Sequence, residues 1–325
     1  GFGIALQAYG KRSIDVIHWL NQILKKREKM HLRLVKGAYW DYEIKHAQVS
    51  GYDGYPVFSK KSITDISFLT CAQEILKNKK IYAKFATHNA HTIASIYHLA
   101  KDKEYEFQRL YGMGELLYKS AAEVINLNKK PSIYAPIGSY KDLLPYLVRR
   151  LLENGANSSF INRLLDPETD ATWLAENPAL RIKKETKDIP LPKEIFEKRK
   201  NSSGFDISEN YNLQEIEKNL NTFASKKISA ESLYVGRHNE KSISQKVFSI
   251  SNGSEIGSVV FDDPMRIKNI LEKDNDKTWS KKSVEERSRI LLNIADHIDK
   301  EPYELIYFLI NEAGKTLQNA IDEIR

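Results

Sequence analysis

Cysteine is nearly absent from the sequence: Cys71 stands alone in 325 residues. An internal disulfide is therefore excluded, and the count fits a reducing compartment. Cys71 lies in "ITDISFLTCAQEILKNKK", whose apolar spacing is helical, so it reads as a small core residue and not as a nucleophile. No run of eighteen apolar residues occurs, which leaves no candidate membrane span. H-E-x-x-H, the G-x-S-x-G elbow and paired cysteines are all missing, and hydrolysis loses its usual signatures with them. His88 and His91 are three apart, but no set of further ligands joins them, so no metal site is expected. An arginine-rich arm is lacking too. The net charge of +7 is spread over a mixed 29% of charged residues, so no nucleic-acid partner is expected. Phosphate loops fail on inspection. "YGMGELL" at 111–117 has only G-x-G, and "EAGKT" at 312–316 closes a helix with Leu309 where a glycine is required.

What is present is rhythm. Strand "IALQAY" precedes helix-like "SIDVIHWLNQILKKREK", and "LRLVKG" leads through a polar loop to the helix of Cys71. "IYAKFATHN" then leads to "TIASIYHLAKD", and "YEFQRLYG" to "GELLYKSAAEVINL". Such alternation indicates an α/β fold with parallel strands. Four units fit half a barrel of eight, or most of an open doubly wound sheet. The polar strand ends favour the barrel, because Gln7, Lys36, Thr87-His88-Asn89 and Gln108-Arg109 would converge on one pocket. A further helix, "KDLLPYLVRRLLENGA", is opened by Ser139 or Lys141-Asp142, with Pro145 acceptable only near its first turn. Residues 166–235 read as connecting material, wrapped or extended. From about 245 the chain turns to an Asn252-Gly253 hairpin and a helix with Ser283 and Glu286 at capping-box spacing. The chain opens directly on a strand and without methionine, so it is expected to be a piece of something longer.

The stretch "LRLVKGAYW", Leu32 to Trp40, carries the chemistry. Arg33 and Lys36 are three apart and face opposite sides of an ideal strand. Each cation needs a partner: a carboxylate such as Asp41 or Glu43, or an anionic ligand. Arg149 and Arg150 sit side by side on a helix, and Glu153, four residues on from Arg149, could hold it by an ion pair. A guanidinium fork suits a carboxylate. With Tyr39, Trp40 and Tyr134 as flat neighbours, the set suits a small anionic substrate held against a flat cofactor.

At these residues the chain resembles the bifunctional proline-utilisation flavoenzymes. The matching stretches are "LQAY" 6–9, "RLVKGAYWDYEIK" 33–45, "FATHNAHT" 85–92, "YEFQRLYGMGE" 105–115, "YAPIG" 134–138 and "YLVRRLLENGANSSF" 146–160. "WSKKSVEERSRILLNIAD" and "INEAGKTLQNAIDEIR" are similar to the first helices of an aldehyde dehydrogenase. The resemblance implies the C-terminal half of a proline dehydrogenase (β/α)8 barrel over 1–165. It further implies a linker over 166–235 and the start of an aldehyde dehydrogenase domain over 236–325. The implied reaction is FAD-dependent oxidation of L-proline to Δ1-pyrroline-5-carboxylate. The parent would also oxidise glutamate semialdehyde to glutamate with NAD.

Residue roles come with the resemblance. Arg33, Tyr39, Arg149 and Arg150 are implied to be catalytic, with Arg33 near flavin N5. Tyr39, Leu110, Tyr134, Arg149 and Arg150 would bind substrate, the arginine pair gripping its carboxylate. Gln7, Arg33, Lys36, Gly37, Trp40, Thr87, His88, Asn89, Gln108 and Glu153 would hold FAD. A membrane quinone is implied as electron acceptor, for a cytoplasmic protein associating peripherally with the inner membrane, and the parent could be a homo-oligomer. The first four barrel strands would be missing, as would the aldehyde dehydrogenase cysteine, glutamate and Rossmann core. The piece is thus expected to be incomplete for both reactions. Two other readings remain open from the residues themselves: a sugar-phosphate-binding barrel, and a basic scaffold whose arginines form surface ion pairs.

Overall fold

The computed structural model describes residues 2–24, 29–125, 127, 130–155, 172, 175–182, 189–231, 243–273 and 278–325, with the side chains of 151–155 and 273 set aside. Two compact units result: Gly1–Ala47 with Gly54–Pro190, and Gln48–Asp53 with Leu191–Arg325.

The first unit is built on five parallel strands: β1 (Gly3–Gln7), β2 (Met30–Val35), β3 (Ile81–Ala86), β4 (Tyr105–Leu110) and β5 (Ser132–Tyr134). Helices α1 (Ser13–Ile23), α2 (Trp40–Ser50), α3 (Lys61–Lys77), α4 (Ala90–Ala100) and α5 (Glu115–Val124) fill the crossovers, and α6 (Tyr140–Gly155) follows β5. The strands lie in the sheet in chain order, 1-2-3-4-5, with no reversal. A doubly wound sheet would show a switch point; these strands have none.

Alternation along the strands sorts the chemistry. In β2 and β3 buried and half-buried residues alternate without a break. Leu32, Leu34, Phe85 and Phe107 are buried on one face against Ile17, Phe68, Cys71, Ile75, Ile93 and Ile96 of the helices. Each such side chain contributes about 1.5–3 kcal/mol by leaving water. Cys71 is part of this core, and burial pushes its thiol up to about 11. The odd positions of β2 and the even positions of β3 and β4 form the other face: His31, Arg33, Tyr82, Lys84, Glu106 and Gln108. A sheet buried on both faces would read as continuous apolar strands; this one is apolar on its helix side only.

Two details differ from expectation. A fifth strand pairs with β4, where the sequence showed four strand–helix units; it has only three residues, between Pro131 and Pro136, and carries no apolar run. Pro145 lies in the second turn of α6, not the first. The helix tolerates it because Lys141, whose carbonyl loses its partner, is exposed to water. Ser139 does open the helix, its hydroxyl donating to Asp142 Oδ2 at 2.6 Å.

In the second unit, β6 (Ile228–Glu231) pairs parallel with β8 (Glu255–Phe261), which forms an antiparallel hairpin with β7 (Ile243–Phe248). Gly253 in the connecting turn has φ +71°, the conformation that the Asn-Gly pair anticipates. A small core of Ile216, Ile306, Ala320 and Ile321 joins α7 (Asn210–Asn221), α10 (Pro302–Asn311) and α11 (Leu317–Ile324); α8 (Pro264–Lys273) and α9 (Val284–Lys300) are further helices of this unit. The capping box of Ser283 and Glu286 is formed at the start of α9. The stretch read as connecting material therefore supplies α7 and β6 to this unit. No helix among the described residues is long and apolar enough to cross a membrane.

Candidate active site at the strand ends

Arg33 and Lys36 part company as strand alternation requires. Lys36 points to the helix side, where its Nζ donates to Asp65 Oδ1 of α3 at 2.5 Å. Its partner is therefore neither Asp41 nor Glu43. Arg33 points to the other face, and its guanidinium lies 4.4 Å from the ring centroid of Tyr134, at the end of β5. Arg109, next to Gln108, also turns to the helix side, where it donates to the Met113 carbonyl at 3.2 Å.

The arginines of α6 come to the same end of the sheet. Arg149 lies 5.5 Å from the ring centroid of Tyr39, and Arg150 lies 5.5 Å from that of Tyr146. Arg150 is also close enough to act electrostatically on His88. The Nε atoms of Arg33 and Arg149 are buried with no hydrogen-bond partner among the described residues. An aromatic face attracts a cation by about 0.5–2 kcal/mol but accepts no hydrogen bond in the carboxylate's place. Two guanidinium groups so placed fit an anionic or acceptor-rich ligand. Half-burial of all three arginines also departs from the surface ion pairs of a scaffold. Glu153 is on α6, and its side chain lies outside the described residues.

The loop after β2 closes tightly on β1. Gly37 has φ +129°, and a Cβ there would sit 1.7 Å from Tyr9 Cδ1. Tyr9 is buried, shares a hydrogen bond with the Gln7 side chain, and is pushed up to about 12 by burial and then by Glu43 and Tyr39. It is a neutral phenol that pins Gln7. Trp40 Nε1 donates to the Phe58 carbonyl at 2.8 Å, and the Phe58 amide donates to the Tyr9 carbonyl at 2.8 Å.

The Thr87-His88-Asn89 turn is held from several sides. Tyr118 donates to the Thr87 carbonyl at 3.0 Å, and Asn89 Oδ1 caps α4 by accepting from the Thr92 amide at 2.9 Å. His88 Nε2 accepts from the Leu110 amide at 3.2 Å, which places its proton on Nδ1. Burial first, then the charges of Arg150 and Arg109, push His88 from 6.5 down to about 4. The unfolded chain therefore binds a proton between these values that the folded chain does not. Stability is full above 6.5 and falls as the pH drops towards 4, by up to about 1.4 kcal/mol per pH unit. Denaturant unfolding at pH 7 and pH 5 should show this loss in the wild type and less of it in His88→Asn.

One group escaped sequence reasoning. Glu106 accepts from Gln108 Nε2 at 2.8 Å and pairs with Lys84 at 3.4 Å, on the face that carries Arg33. Lys84 stands singly in the apolar strand β3, and Glu106 lies between two aromatic residues of β4. Their shared position shows only once the register, Arg33 to Lys84 to Glu106, is known. Asp65, distant from Lys36 in sequence, gave no signal either.

Two family models match the chain: proline dehydrogenase over residues 1–163 and the aldehyde dehydrogenase family over residues 237–325. Bifunctional protein PutA of Escherichia coli strain K12 is 38% identical, covering 100% of this chain and 26% of its own length. Bifunctional protein PutA of Rhizobium meliloti is 43% identical, covering 71% of this chain and 20% of its own. A crystal structure of bifunctional proline utilization A superposes with a TM-score of 0.79 at 35% identity, covering 100% of this chain and 31% of that one. The chain thus spans about a quarter of the length of the curated relatives it matches.

Proposed function

The chain belongs to the proline dehydrogenase family, and from that premise we propose that its strand-end site is part of an FAD-dependent proline dehydrogenase. The substrate is L-proline and the product is Δ1-pyrroline-5-carboxylate. The five strands then form the later part of a (β/α)8 barrel over residues 1–165, one strand more than the half expected from the sequence. Residues 166–235 connect it to the start of an aldehyde dehydrogenase domain, 236–325, which in the whole protein oxidises glutamate semialdehyde to glutamate with NAD. The only cysteine is buried in the first unit, so that second activity draws its nucleophile from elsewhere. The whole protein is cytoplasmic, meets the inner membrane peripherally and passes electrons to a quinone there.

The observation that carries this reading is the set of cations around Tyr39 and Tyr134, two of them with an unpartnered buried Nε. Arg149 and Arg150 grip the carboxylate, which orients the proline ring. Leu110, which pairs with Tyr134 across β4 and β5, packs with Tyr134 and Tyr39 against that ring. Bound FAD would supply the redox chemistry, as acceptor of the hydride equivalent from proline. Arg33 stands at its redox end. Gln7, Lys36, Gly37, Trp40, Thr87, His88, Asn89, Gln108 and Glu153 hold the rest of it. Lys36 contributes through its backbone and through the Asp65 pair that fixes the loop, since its amine points to the helix side. The neutral His88, with its proton on Nδ1, offers a donor without adding a charge.

The purified complete protein should carry FAD, or take it up on reconstitution, and should reduce a dye only when proline is added. A protein that takes up no flavin, or that reduces the dye equally well without proline, contradicts the reading.

A further inference from the structure

Glu106 has three donors and no catalytic assignment. Besides Gln108 Nε2 at 2.8 Å and Lys84 Nζ at 3.4 Å, the Ser132 side chain hydrogen-bonds to it. Burial raises this carboxyl, but the bonds from Gln108 and Ser132 and the charge of Lys84 outweigh it, so it stays ionised. An ionised carboxylate can only accept. The amide of Gln108 is two-sided, and this fixes which side is which: its NH2 faces Glu106, leaving Oε1 for another partner.

We propose that Glu106 is a positioning residue that turns Gln108 to present an acceptor oxygen at the strand ends, for an N–H or O–H donor of the bound cofactor. The inference rests on the flavin reading above, in which Gln108 holds FAD. Flavin has donors of both kinds, the ring imide N–H and the ribityl hydroxyls. Ser132 sits directly opposite Gln108 in the β4–β5 register, so Glu106 ties two strands together just below that contact. The same carboxylate pairs with Lys84, the register neighbour of Arg33, and so offsets one of the two cations on that face.

A double-mutant cycle on the complete protein tests this, with the FAD dissociation constant and the flavin absorption band as readouts. Losing a hydrogen bond of this kind should weaken FAD about tenfold in Gln108→Leu, and Glu106→Ala should match it. If Glu106 acts through Gln108, the double variant stays near tenfold. Where the ring imide is the donor, the flavin band should shift alike in all three. A double variant weakened about a hundredfold, as independent contributions would give, overturns the proposal. So does a Glu106→Ala protein that loses thermal stability but binds FAD with wild-type affinity and spectrum. Should Glu106→Ala not fold, Glu106→Gln takes its place, because a carboxamide no longer dictates which way Gln108 points; additivity again overturns the idea. Titration with N3-methyl FAD separates the two donors: the Gln108→Leu effect vanishes if the imide is the donor and persists if a ribityl hydroxyl is. A wild type that binds no FAD fails the functional reading itself, which the cycle then cannot reach.

Discussion

In the complete protein, replacing Arg149 or Arg150 by alanine is expected to raise the proline concentration for half-maximal turnover by about ten- to a hundredfold. A hydrogen bond to a charged group is worth roughly 1.5–3 kcal/mol, and each guanidinium can supply one or two to the carboxylate. Lysine is a poor substitute at either position, because a point charge cannot reproduce the planar fork. Each arginine also lies against a tyrosine ring, Arg149 against Tyr39 and Arg150 against Tyr146, so truncation loosens those rings as well. Loss of orientation should therefore lower turnover at saturating proline too, as remote binding contributes to placing the reacting carbon. Steady-state kinetics with proline as the varied substrate separates the two effects. An unchanged half-saturation value in both variants removes the carboxylate role.

Gly37→Ala should be the most damaging single methyl group in the site. The new Cβ meets the Tyr9 ring at 1.7, 1.9 and 2.7 Å, at a φ of +129° that side chains rarely adopt. Tyr9 cannot move aside freely. Its amide bonds to the Lys36 carbonyl at 2.8 Å, its carbonyl accepts from Phe58, and its ring is buried. Overpacking and backbone strain each cost about 1–3 kcal/mol, so a loss of roughly 2–6 kcal/mol is expected. Thermal unfolding should show a markedly lower midpoint, and FAD should be lost, since Tyr9 holds Gln7. Adding Tyr9→Ala should recover part of the stability by removing the collision, though not the strain. If Gly37→Ala keeps the wild-type midpoint and its flavin, the loop is not packed as described.

Much of this architecture could be read from the chain before folding. The alternation in "LRLVKG" and "IYAKFA" marks strands with one apolar face, and it already separated Lys36 from Arg33. Asn252-Gly253 and the Ser283–Glu286 pair are local signals, fixed by turn and cap chemistry within a few residues. What escaped depends on register or on distant partners. β5 is too short for periodicity to register, and it exists because β4 offers it an edge. Asp65 meets Lys36 only after α3 packs against the sheet. Glu106 and Lys84 look like interruptions in apolar strands until the strands align. Residues 166–235 read as connecting material, yet Ile216 within them is buried, a fact set by partners far along the chain.

The proposed reaction depends on a carboxylate gripped by arginines beside a flavin. Anaerobic titration of the complete, FAD-loaded protein with L-proline and, separately, with pyrrolidine tests it most directly. Proline should bleach the flavin absorbance, and pyrrolidine, which has the ring and the amine but no carboxylate, should need at least about a hundredfold higher concentration. Equal bleaching by the two amines would contradict the account, as would a bound flavin that proline leaves oxidised.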